Sequence, residues 1–186
     1  HTLLFVKDLK GFQNLSGLTY TEMKKHTAEV CCVAYSPDGK YIVSGGWDKK
    51  VLLWDNNGKF LKKITTCEEE VSTISFSADS KKIAVSGGGD FRVTLYAIPS
   101  GKKGKAFKKH SKYVFASTFY GNDLIASAGG DEKDIYIWDA SSRKVKTHVT
   151  GKGKTVWAVA FGQDMNIAFG QTYEGVDDSN RGPLKK

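Results

Sequence analysis

The chain has 186 residues, 40% of them apolar and 12% aromatic, with a formal charge of +8 at pH 7; that is enough to bury a sizeable core and excludes disorder over most of its length. Three cysteines, Cys31, Cys32 and Cys67, show neither a C-x-x-C pair nor metal-ligand spacing, which argues against a disulfide framework or a zinc site and for a reducing, cytoplasmic (intracellular) setting. No run of about 18 apolar residues is present for a membrane span, the first residues lack the apolar core of a signal peptide, and His1 opens directly on a strand-like run, as expected of a piece of a longer product.

That first run, Leu3-Leu4-Phe5-Val6-Lys7-Asp8, reads as a strand, and residues 15 to 24 read as the next one. From Val30 a pattern begins that recurs with a spacing of about 42 residues. Val30-Cys31-Cys32-Val33-Ala34-Tyr35-Ser36, Val71 to Ser77, Val114 to Tyr120 and Val156 to Gly162 share apolar residues at the first, fourth and sixth places, with Ser117 the one exception. After each comes a polar turn rich in Gly, Asp or Asn, such as Ser36-Pro37-Asp38-Gly39 and Ser77-Ala78-Asp79-Ser80, where those residues tolerate hairpin backbone angles. A second apolar strand then ends in Ser44-Gly45-Gly46, Ser86-Gly87-Gly88 or Ser127-Ala128-Gly129, where small size lets neighbouring backbones approach. The third strands are Val51 to Asp55, Val93 to Ala97 and Ile135 to Asp139, and a lysine-rich stretch such as Lys59 to Ile64 alternates after them like an outer strand. No amphipathic helix follows any strand, so a dinucleotide-binding reading of the glycines fails. The string Gly151-Lys152-Gly153-Lys154-Thr155 ends like a phosphate-binding loop, but position 148 is His where that motif needs Gly, and a strand follows it.

Four short strands per repeat of about 40 to 45 residues, with Trp54-Asp55 and Trp138-Asp139 ending the third, resemble a blade of the WD-repeat β-propeller family. The resemblance covers residues 26 to 171 and implies an all-β fold of four-stranded antiparallel blades, about three complete and two half. It divides the chain into an outer half-blade (1–25), blades at 26–66, 67–109 and 110–150, an inner half-blade (151–172) and a polar tail (173–186). The family generally has about seven blades, so about four blades' worth of strands implies further sequence, a second copy completing the ring, or an unusually small ring.

The resemblance also implies a structural tetrad inside each blade: His26, Ser44, Asp48 and Trp54 in the first, His110, Ser127, Asp131 and Trp138 in the third. In the second blade Ser86 and Asp90 are present, Tyr96 replaces Trp and Cys67 stands in the His position, so that network is expected to be incomplete. His, Ser and Asp here serve one another and no catalytic triad is implied; His148 is expected to be solvated in an outer strand, and Trp157 to pack in the core. The family's docking face brings together Trp47, Lys49, Phe91, Arg92, Tyr113 and Glu132, with Glu29, Glu68, Glu69, Glu70, Lys112, Lys133 and Lys154 around them. The expected function is a non-enzymatic protein-interaction scaffold without cofactor or metal. The alternative is an electrostatic binder of nucleic acid or acidic lipid, because Lys102, Lys103, Lys105, Lys108, Lys109 and Lys112 fall within a dozen positions.

Overall fold

The computed structural model describes residues 3–5, 20–87, 89–129, 134–150 and 155–171. Sixteen strands appear, grouped in sheets that follow chain order. The first complete blade is β3 (Val30–Tyr35), β4 (Tyr41–Gly46), β5 (Lys50–Asp55) and β6 (Phe60–Thr66). The second is β7 (Val71–Phe76), β8 (Lys82–Gly87), β9 (Val93–Ala97) and β10 (Lys103–Phe107), and the third is β11 (Val114–Tyr120), β12 (Leu124–Gly129), β13 (Asp134–Asp139) and β14 (Val145–Thr150). Two-stranded sheets flank them, β1 (Leu3–Phe5) with β2 (Thr21–Met23) and β15 (Val156–Phe161) with β16 (Ile167–Gln171). All pairings are antiparallel between consecutive strands, so the chain folds as an all-β propeller of three complete four-stranded blades and two half-blades.

Blades pack face to face, which is why the second strands are buried almost throughout. One apolar layer joins Val43, Val51 and Leu53 of the first blade to Val71, Ile74 and Ile83 of the second. Another joins Val93, Leu95 and Phe107 to Val114, Ile125 and Trp138. The small residues at the end of the second strands are spaced for this approach: a Cβ on Gly45 would lie 2.5 Å from Val71 Cγ1, and one on Gly46 would lie 2.7 Å from the Glu29 carbonyl.

The hairpin turns are built by side chains and also bind blade to blade. Ser36 Oγ donates to Asp38 Oδ1 at 2.7 Å and accepts from the Tyr41 N–H at 2.9 Å, and Ser77 with Asp79 and Lys82 repeats the arrangement. Across the gap the Asp38 N–H donates to Ser80 Oγ at 3.0 Å, the Asp79 N–H to Asn122 Oδ1 at 2.7 Å, and the Tyr120 hydroxyl to the Gln163 carbonyl at 2.7 Å. One repeat therefore satisfies the exposed backbone of the next.

Every first strand carries a bulge at one place. Pairing slips between Val30 and Cys32, Val71 and Thr73, Val114 and Ala116, and Val156 and Ala158. The extra residues, Cys31, Ser72, Phe115 and Trp157, sit outside the regular ladder, where a bulge re-aims a side chain.

Candidate interaction face and the tetrads behind it

In the first blade the Trp54 indole donates to Ser44 Oγ at 2.8 Å, His26 Nε2 lies 2.8 Å from the same oxygen, and His26 Nδ1 lies 2.8 Å from Asp48 Oδ1. Indole is donor only and carboxylate acceptor only, so the protons run one way: Trp54 to Ser44, Ser44 to His26 Nε2, His26 Nδ1–H to Asp48. Burial works to raise the Asp48 carboxyl, but the Thr27 N–H, His26 and the Lys50 N–H draw it down to about 2. Ser44 is fully buried and already accepts the indole proton, so it braces strands and offers no oxygen to a substrate.

The third blade repeats the chain, with His110 Nε2 2.8 Å from Ser127 Oγ and the Trp138 indole donating to that oxygen at 3.0 Å; Asp131 lies outside the described residues. Burial lowers His110 to about 4, with Asp134 opposing and His148 adding to the shift. His148 is exposed on its outer strand, as expected, and also has partners there. Its ring stacks on Tyr136 at 4.4 Å and its Nε2 lies 3.0 Å from Asp134 Oδ1, leaving one flank to water.

In the second blade the corresponding groups bond to other partners instead of to one another. Ser86 Oγ donates to the Val114 carbonyl at 3.3 Å, the Tyr96 hydroxyl to Thr65 Oγ1 at 3.4 Å, and Asp90 accepts from the Arg92 N–H at 3.3 Å. Burial, then the Asp90 carboxylate, pushes the Cys67 thiol up to about 11, which makes it unreactive. A cavity of about 60 Å³ lies among Thr65, Cys67, Asp90 and Tyr96.

In front of this bracing lies an open groove of about 490 Å³ bordered by Trp47, Glu70, Val71, Tyr113, Phe115 and Trp157. The bulged residues Cys31 and Ser72 complete its floor. A ladder of rings runs along it: Phe91 meets Tyr113 edge-on at 5.7 Å, Tyr113 stacks on Phe115 at 5.9 Å, and Phe115 lies 4.7 Å from Trp157. Trp47 is 58% exposed and Trp157 56% exposed. The core position expected for Trp157 is thus corrected: the bulge turns the second residue of the strand away from the blade, and Trp157 is that residue. Phe115 was missed for the same reason.

Lys49 and Phe91 stand at the same turn position of successive blades and both adopt left-handed backbone angles, φ 65° and 50°. Lys49 Nζ donates to the Glu68 carbonyl at 2.8 Å and to Glu69 Oε2 at 3.2 Å, and Arg92 pairs with Glu68 at 3.3 Å. Glu132, Lys133 and Lys154 lie outside the described residues. The lysine cluster is split. Lys102, Lys103 and Lys105 meet Lys82 and Arg143 around a crevice of about 290 Å³ between the second and third blades, whereas Lys108, Lys109 and Lys112 are exposed on the connection toward β11.

Among known proteins, the family model described as "WD domain, G-beta repeat" matches residues 17–55 and 58–96. The chain is 30% identical over 126 residues to the pre-mRNA-splicing factor cwf17 of Schizosaccharomyces pombe, covering 66% of this chain and 36% of that protein. It is 31% identical over 116 residues to the U3 small nucleolar RNA-associated protein 15 homolog of Xenopus laevis, covering 61% and 22%. The chain thus spans about a third or less of these relatives. The crystal structure of the WD40 β-propeller domain of Doa1 superposes with a TM-score of 0.72 at 19% identity, covering 81% of this chain and 50% of that one. Repeats that match the family's model and fold as its blades do are what define the group, and this chain belongs to the WD-repeat β-propeller family.

Proposed function

We propose that this chain is a protein-interaction scaffold that binds partners at the groove side of its blades and carries out no turnover of its own. The observation that carries this reading is the exposure of Trp47, Tyr113 and Trp157 around one groove. Large rings open to water supply binding energy when covered, and the charged residues beside them supply selectivity. The left-handed backbone at Phe91, a bulky residue, fits a position held for contact at some conformational cost. A pull-down with wild type, Trp47→Ala and Phe91→Ala tests it: partners recovered by wild type are expected to be lost or depleted with both variants, and equal recovery of every partner rejects this face.

A second reading, binding of nucleic acid or an acidic lipid surface, is favoured by one observation. The crevice lined by Lys82, Lys102, Lys103, Lys105 and Arg143 has no carboxylate among its lining residues. Relatives named for splicing and for association with a small nucleolar RNA are compatible with a partner complex that contains RNA. A salt titration separates the two, because phosphate binding collapses as salt rises whereas ring-anchored protein binding persists. The relatives' names lend no support to the cytoplasmic setting expected from the cysteines, and the proposal keeps only an intracellular one. A second copy of the chain is proposed as one protein partner, on the exposed apolar side of β3, where Val33 and Tyr35 face outward.

A further inference from the structure

The groove has a chemistry of its own that narrows what fills it. Its walls are π-faces and edges contributed by three repeats: Trp47 from the first blade, Tyr113 and Phe115 from the third, Trp157 from the half-blade beyond. A groove of that composition accepts either an apolar group or a cation, and the neighbouring charges decide between them. Although the chain as a whole carries +8, this rim is acidic. Glu68 and Glu69 are engaged by Arg92 and Lys49, and among the described residues that line the groove the one charged group is a carboxylate. Glu70 borders the groove itself and has no ion pair among the described residues. The Cys31 thiol on the floor reports the same field: burial raises it, and each charged group acting on it, Glu29, Glu70 and Asp48, raises it further.

We infer that this groove takes an arginine side chain from an extended segment of a partner protein, its guanidinium stacked on the ring ladder and paired with the Glu70 carboxylate. The inference rests on the interaction-face reading and specifies the group that the face recognises. Arginine fits better than lysine for two reasons. The planar guanidinium stacks on rings and sheds its hydration more readily than an ammonium, and its fork matches a carboxylate with two parallel hydrogen bonds. A run of rings more than one residue wide, with Tyr113 stacked on Phe115 and Phe115 tilted against Trp157, suits a flat cation better than a point charge.

The test is calorimetric titration of the full chain with the capped peptide Gly-Gly-Arg-Gly-Gly, the same peptide with citrulline, a neutral isostere, and the same peptide with lysine. The arginine peptide is expected to bind saturably, with the citrulline peptide weaker by about tenfold, the scale of one charge-assisted bidentate contact. Glu70→Gln should bring arginine down to the citrulline level, and Trp157→Ala should weaken it several-fold; both residues are exposed, and an unchanged thermal melt verifies the fold of each variant. Equal binding of arginine and citrulline, equal binding of arginine and lysine, wild-type affinity in Glu70→Gln, or no saturable binding of the arginine peptide up to its solubility limit each overturns the inference. If partner recovery still falls in Trp47→Ala while the peptides show no arginine preference, the interaction face survives and only the arginine is lost. If Trp47→Ala changes neither, both readings fail.

Discussion

Ser44 is the branch point of the first blade, holding a donor on one side and an imidazole on the other with no access to water. Ser44→Ala leaves the Trp54 indole and His26 Nε2 buried without that partner and should cost about 2–4 kcal/mol. Among the described residues the Ser86 hydroxyl in the second blade meets the Val114 carbonyl alone, at 3.3 Å, so Ser86→Ala should cost about 1 kcal/mol; urea midpoints of the two variants check the difference. The two flanking blades also respond differently to acid. His110 is lowered from 6.5 to about 4, so between those values the unfolded chain takes up a proton that the folded chain refuses. Its contribution is whole above pH about 6.5 and is lost as pH falls toward 4, by an amount on the order of 3 kcal/mol. Asp48 is lowered from 3.8 to about 2, so its contribution is held above about 3.8 and lost only below it. Urea midpoints measured against pH should therefore fall between 6.5 and 4 for wild type and stay flatter there for His110→Gln; a wild type with no slope in that window contradicts the shift. The tetrad residues were legible because their chemistry is polar and recurs at fixed offsets in an apolar strand pattern. Trp157 was not, since a ring in a strand reads as core unless the local register is known.

At the scale of the element, the informative feature is the bulge in each first strand. Apolar places one, four and six break strict alternation, because the step from one to four is odd. Once strands pair, the extra residue at place two is expelled, and four such residues, Cys31, Ser72, Phe115 and Trp157, line one groove. The period and turns were readable from composition, since Gly, Asp and Ser mark each hairpin. The slip was not, since it is a relation between two strands and no single residue type announces it. The close approach of blades makes a further prediction. Gly45→Ala places a methyl 2.5 Å from Val71 Cγ1, and relieving that contact by moving the blades should cost about 1–3 kcal/mol. Val71→Ala opens a void of its own, but in the double variant the added methyl moves into that space. The double-mutant cycle should show a favourable coupling of about 1 kcal/mol, and simple additivity of the two losses would show that Gly45 is not spaced by Val71.

For the whole molecule, the exposed sides of the end sheets carry the consequence. Val33 and Tyr35 in β3 are each 51% exposed, whereas Ile74, at the place of Val33 in the next repeat, is 8% exposed because the first blade packs over it. This side of β3 is left uncovered by the described residues. At the other end β15 packs on the third blade through Val156, and Phe169 is exposed in β16, which pairs with β15 alone among the described residues. An apolar blade face and an open strand edge are surfaces that associate, which is what the proposed pairing with a second copy requires. The 20.4 kDa chain should therefore show a weight-average mass that rises with concentration in light scattering. Val33→Lys, which puts a charge on the uncovered face away from the groove, should hold it at the monomer mass over the same range, an unchanged thermal melt verifying that the neighbouring Ser44 network is intact. A wild type that stays at 20.4 kDa throughout would show that the two surfaces do not recognise each other, and would leave the complete blades, each latched to the next by its turn, as sufficient for a stable monomer.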